Sequence, residues 1–179
     1  MGNLLLQMLT GTVVSLKIFI LTLLFSLPLG LLVAKGRMSK NPIISNMVNV
    51  YIMIMRGTPL ILQLLFVYFA PYYIFGASYD RFTAVIVGFV INYAAYFAEI
   101  YRGGIASVPS GQYEAAKVLG YSSSQTFLKI IFPQMIKRII PPITNEVITL
   151  IKDTSLAFAV AVTEMFTVAK ALASAEKTM

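Results

Sequence analysis

Residues 4–34, LLLQMLTGTVVSLKIFILTLLFSLPLGLLVA, form an apolar run interrupted by one charge, Lys17. About 20 helical residues cross the roughly 30 Å hydrocarbon core of a bilayer. Inside that core every backbone polar group must be satisfied by the protein itself, so a run of this kind is constrained to a spanning helix. The run is too long for a signal-peptide core, and no small-residue cleavage pattern precedes the basic stop KGRMSKNP. Further apolar runs follow at about 43–73, where Arg56 and Pro59 predict a kink, at about 81–102, and at about 134–151, where Pro141 and Pro142 predict a bend. Residues of about 155–175 are helical in pattern but carry Glu164, Lys170 and few large aliphatics, which suits a short helix outside the bilayer. The expected fold is all-α and membrane-integral, a single domain over 1–179.

Composition agrees: 58% of residues are hydrophobic and 12% charged, with mean hydropathy +0.81, against about 25% charged in ordinary soluble chains. The net charge of +7 is dispersed between apolar runs rather than gathered into a stripe, which argues against nucleic-acid binding. Neither His nor Cys occurs, so disulfides, thiolate metal sites and the commonest general base are excluded. There is no GxxxxGK[ST] phosphate loop, and the glycines of RGGIASVPSG lack the following Lys-Ser or Lys-Thr. Lys35, Arg37 and Lys40 lie between the first two runs, and Arg102, Lys117, Lys129, Lys137 and Arg138 between the third and fourth. The positive-inside rule places these segments in the cytoplasm and the N-terminus outside.

The stretch QYEAAKVLGYSSSQTFLKIIFPQ, residues 112–134, reads as two short helices within this apolar chain. Good helix formers run from Glu114 to Leu119, and Gly120 stands where a left-handed C-cap ends a helix. Ser122 and Gln125 have capping-box spacing for a second helix that Pro133 is expected to close. Ala115, Val118 and Leu119 share a face, and the small Ala115 and Ala116 allow close approach by another surface.

Glu114-Ala115-Ala116, then Gly120, Ile130 and Pro133 at their spacing, resemble the EAA signature of bacterial ABC-importer permease subunits, with Phe132 where Leu is usual. RGTPLILQLLF from Arg56, AEIYRGGIASVPSGQYEAAKVLG from Ala98 and NEVITLIKDTSLA from Asn145 resemble the polar amino-acid branch of that family. The resemblance covers nearly the whole chain. It implies an ABC type I importer-like transmembrane domain in the bacterial cytoplasmic (inner) membrane, with 112–132 as coupling helices against a cytosolic ATPase subunit. Tyr113, Glu114, Ala115, Ala116, Lys117 and Gly120 are then the contact residues. It also implies a second permease copy or sister permease, an extracytoplasmic solute-binding protein and an amino-acid substrate. This chain needs no cofactor of its own, because ATP and Mg belong to the partner. The family usually has five spans, and residues up to Met179 supply about four plus the short helix; the last span is expected to be missing.

Ionisable groups at the bilayer centre cost about 2.5–3.5 kcal/mol on insertion scales and therefore usually face a protein cavity. Lys17 and Arg56 can reach the interfaces by snorkelling, and Glu99 and Arg102 can pair at i, i+3. Glu146 and Asp153, seven residues apart, share a helix face, with Asn145 beside them and Asn92 approaching from the third span. Thr154, Ser155 and backbone amides beyond Asp153 offer donors for a carboxylate. The alternative is that these groups only satisfy one another around the Pro141-Pro142 kink. The excess of carboxylates points to a basic substrate such as arginine, lysine or histidine. An ion-coupled secondary amino-acid transporter is the other reading, but the inverted repeats it calls for are not evident in the sequence.

Overall fold

The computed structural model describes residues 2–77 and 80–176, and the described residues contain helices and turns only. The first apolar run becomes α1 (Gly2–Arg37), 36 residues that continue through Pro28. The second run is two helices, α2 (Pro42–Gly57) and α3 (Leu60–Phe75), bent by 112° at the break between them. The kink expected from Pro59 is therefore a sharp turn past the perpendicular. Asn41 accepts from the Ile43 amide to start α2, and Pro59, lacking an N–H, opens α3.

Helix α4 (Arg81–Ala106) is the axis of the molecule. Of its most apolar stretch 56% is buried, against 22% for α1, so α4 is enclosed by protein while α1 exposes most of its surface. The two meet along a small-residue seam: a Cβ on Gly30 would stand 2.9 Å from the Phe97 Cβ and 3.2 Å from the Ala94 carbonyl oxygen. Small residues permit this approach, the dispersion contact that drives helix association in lipid. Gly88 against Leu64 and Gly104 against Ile139 repeat the device toward α3 and α7.

The polar stretch forms α5 (Ser110–Val118) and α6 (Ser123–Thr126). Gly120 has φ of 76°, its amide donates to the Lys117 carbonyl at 3.1 Å, and Tyr121 donates to Ala116 at 3.0 Å, a Schellman termination. Ser122 Oγ accepts from the Gln125 amide while Gln125 Oε1 accepts from the Ser122 amide, completing the capping box.

Pro133 does not close the second helix. A π turn over Phe127–Ile131 joins α6 to α7 (Phe132–Asp153), and a 3-10 segment, Thr154–Val160, continues it. In the π turn the Phe132 amide donates to the Phe127 carbonyl, one residue further back than in an α-helix. That shift accommodates the missing Pro133 donor, and Gln134 Nε2 donates to the Ile130 carbonyl at 3.0 Å. Pro141 and Pro142 likewise lie inside α7 without ending it. One helical rod therefore runs from Ser123 to Val160, where the sequence suggests a separate span at 134–151.

The expected single helix at 155–175 is also replaced. The 3-10 segment ends at Ala161, held at φ of 57°, and α8 (Met165–Glu176) departs at 65°. Glu164, 1% exposed, starts α8 by accepting from the Phe166 and Thr167 amides at 2.7 and 2.8 Å. It also accepts from Ser15 Oγ of α1 at 3.4 Å, which docks α8 on the first helix.

Candidate functional site

A cavity of about 200 Å³ lies where α4, α7 and the α2–α3 break converge. Helix α4 contributes Asn92, Tyr93 and Tyr96, α7 contributes Glu146, Thr149 and Asp153, and the break contributes Thr58 and Leu60. Spacing explains the α7 set, since residues three and seven after Glu146 return to its face.

The break is held open by amides. Gln63 Nε2 donates to the carbonyls of Met55 and Thr58 at 3.0 and 3.1 Å and to Thr58 Oγ1 at 2.8 Å. Asn92 Nδ2 donates to Met55 O at 3.0 Å and to Gln63 Oε1 at 2.8 Å. Both Asn92 donors are thereby used, and only its Oδ1 remains for the cavity. Tyr93 OH donates to Asp153 Oδ2 at 2.7 Å, which fixes that carboxylate and leaves its second oxygen open. Glu146 makes no hydrogen bond among the described residues, and the Arg56 guanidinium sits 5.1 Å from the Tyr96 ring centroid. The cavity thus presents open acceptors from three side chains, a site for ammonium or guanidinium donors. No group of three or more carboxylates among the described residues is disposed to hold a metal ion.

The structure brings together Asn92, Glu146 and Asp153 of the residues expected from sequence. Asn145 is exposed outside the cavity. Thr154 and Ser155 face a different hollow beside α1 and α8, and their hydroxyls donate to the carbonyls of Ile151 and Lys152 at 2.8 Å each. Back-bonding onto the last turn of α7 removes those donors from the cavity. Tyr93, Tyr96, Thr149, Thr58 and Gln63 are not evident from sequence as site or supporting residues. Arg56, read there as an interfacial anchor, is exposed and stacks on Tyr96 of the cavity wall.

At the other end of the rod, Tyr113, Glu114, Ala115, Lys117 and Gly120 are exposed, and Val118 and Leu119 stand 87% and 72% exposed. Ala116 is the exception, fully buried on the opposite face of α5. Gln134 Nε2 also donates to Gln112 Oε1 at 3.2 Å, tying α5 to the rod.

An exposed, capped helix pair continuous with a helix that walls a polar cavity defines a membrane permease domain. Residues 26–172 match the family described as binding-protein-dependent transport system inner membrane component, and the chain belongs to that family. A putative glutamine transport system permease protein of Rickettsia bellii is 39% identical over 146 residues, 82% of this chain and 67% of that protein. An L-cystine transport system permease protein of Bacillus subtilis is 39% identical over 156 residues, 87% of this chain and 66% of its own length. The chain thus spans about two thirds of these relatives. The crystal structure of an amino acid ABC transporter with histidines superposes with a TM-score of 0.89 at 33% identity, covering 97% of this chain and 81% of that one. An inward-facing MetNI methionine ABC transporter, 20% identical with a TM-score of 0.71 over 97% of this chain and 91% of its own, shares the fold. The family resemblance and the all-helical importer-type fold expected from the sequence both hold.

Proposed function

We propose that the chain is the pathway-forming subunit of an ATP-driven importer for polar amino acids. The observation that carries this reading is the Ser123–Val160 rod, which starts at an exposed helix turn and walls, through Glu146 and Asp153, a cavity of open acceptors. The α5–α6 pair, with Tyr113, Glu114, Ala115, Ala116, Lys117 and Gly120, is the coupling element for a cytosolic ATPase subunit, which supplies ATP and Mg chemistry. Buried Ala116 acts by seating α5 on the rod, and Val118 and Leu119 add apolar contact area. The basic residues at the α5 end put it in the cytoplasm and the N-terminus outside. A second permease copy or sister chain completes the pathway, and an extracytoplasmic binding protein delivers the amino acid. Asn92, Glu146 and Asp153 hold its ammonium group, and their acceptor excess favours a basic amino acid.

The chain contains no cysteine, so one introduced at Tyr113 or Lys117 is a unique crosslinking site in it. In membranes holding the native complex, nucleotide-dependent crosslinking to a cytosolic ATP-binding subunit is expected. Crosslinks to lipid or to the same chain alone would reduce the pair to a surface helix. Uptake by Asp153→Asn tests the substrate: transport of a basic amino acid should fall far more than ATP hydrolysis does.

A further inference from the structure

Asn92, Tyr96, Glu99 and Gly103 recur at spacings of four, three and four and so lie on one face of α4. The acidic cavity occupies the Asn92–Tyr96 part of this face. A second hollow of about 370 Å³ occupies the next turn, between Glu99, Arg37 at the end of α1, and Asn49, Met53 and Arg56 of α2.

The charge balance of this second hollow is opposite to that of the cavity. Its carboxylate, Glu99, is already engaged: Arg102 Nε donates to both carboxylate oxygens at 3.0 Å and Nη2 to Oε2 at 2.7 Å. Neither Arg37 nor Arg56 has a carboxylate within ion-pair distance among the described residues. Arg37 Nη1 donates to Ser45 Oγ at 3.1 Å, while its Nε is buried without a partner. Arg56 stacks on Tyr96, the residue that also borders the acidic cavity. Arg37 is half-buried and Arg56 exposed, so the pair forms an accessible positive rim with no carboxylate of the described residues bound to it, and the planar guanidinium fork fits a carboxylate.

We propose that the Arg37–Arg56 hollow is a release-side binding site for the α-carboxylate of the amino acid leaving the acidic cavity. The inference rests on the importer reading above. Tyr96 separates the two hollows, so a zwitterion passing along α4 moves from a carboxylate-lined site for its ammonium group to a guanidinium-lined site for its carboxylate. A lipid phosphate satisfies the same cations, but the position of the hollow one turn along α4 from the cavity, with Arg56 stacked on the cavity's own Tyr96, favours the amino acid.

The test uses the assembled complex without its binding protein, in phosphatidylcholine vesicles and again with phosphatidylglycerol added. Binding of L-glutamine and L-arginine is compared with that of their α-amides, which lack the carboxylate charge. Wild type should bind the acids about tenfold or more tightly than the amides. Arg56→Gln and Arg37→Gln should each remove most of that ratio, and Arg56→Lys should retain part of it. The ratio is internally controlled, because a merely structural loss weakens acid and amide alike. An acid-to-amide ratio unchanged in the variants, while wild type still shows ATP-dependent uptake, overturns the site and leaves the importer reading standing. An effect of the variants that appears only with phosphatidylglycerol assigns the hollow to lipid phosphate instead. If wild type takes up neither amino acid nor any other, the importer reading fails and this site with it.

Discussion

At the residue scale, the buried amides decide more than the charges do. Gln63 bonds both Met55 and Thr58, whose carbonyls are left over where α2 ends and α3 begins. Replacing it by Leu leaves a donor of the buried Asn92 without its partner, at a cost of about 1–3 kcal/mol. Gln63→Leu should therefore lower the Tm of the detergent-solubilised protein by several degrees, and an unchanged Tm would mean that water reaches the break. Asp80 offers a contrasting case on the surface. It starts α4 by accepting from the Thr83 hydroxyl and, at 3.0 Å, from the Thr83 amide. The hydroxyl first and the amide second hold its carboxyl below the usual carboxylate range. A depressed folded-state value stabilises above the ordinary carboxylate range, and that contribution is lost as pH falls through the folded value. Unfolding followed from pH 6 downward should show the wild type losing its advantage over Asp80→Asn below about pH 4. Parallel curves would remove Asp80 as a charged cap.

Elements were legible in the sequence where local chemistry alone decides them. Gly120, Ser122 and Gln125 carry their termination and capping signals within a few residues, and the structure forms both. Glu146 and Asp153 share a face by spacing alone. Pro133 misled because the helix survives it only through a π turn and the side chain of Gln134, neither of which a proline signal encodes. Tyr93 and Tyr96 were not evident because aromatic residues in an apolar run read equally as lipid-facing or core. The acute α2–α3 turn depends on Asn92 in α4, a tertiary contact beyond the reach of local patterns. Crossings are likewise tertiary. A Cβ on Gly104 would come within 2.2 Å of Ile139 Cγ2 and 3.1 Å of Met135 Cγ, so α7 must move away from α4 or repack. Gly104→Ala should cost about 1–3 kcal/mol by overpacking, read as a lower Tm. Recovery of that Tm on adding Ile139→Val or Ile139→Ala would locate the strain at this crossing, and failure to recover would place it elsewhere.

At the scale of the whole molecule, the unbroken rod sets the mechanics. It crosses α4 at Gly104, carries the acidic wall of the cavity, and begins beside α5, to which Gln134 and buried Ala116 join it. At 1.5 Å per residue, Ser123 and Glu146 are about 35 Å apart along its axis, too far for direct electrostatic influence through screened solvent. If the α5–α6 turn couples to an ATPase as proposed, displacement of a stiff element between two packed arrangements is the available carrier between that turn and the cavity. Stiffness can be lowered without touching either end: Lys137 and Ile140 are exposed, lie between them, and on replacement by Gly cost about 1 kcal/mol each in helix propensity. In the reconstituted complex the double glycine variant should hydrolyse ATP near the wild-type rate while amino-acid uptake falls about tenfold or more, because motion at the turn no longer reaches Glu146 and Asp153. Separate substitution by Ala, which preserves helix propensity, should leave uptake within about twofold. If the glycine variant transports as well as the alanine variants do, the rod is a support, and coupling must travel instead through α4 and its tight contacts with α1 and α7.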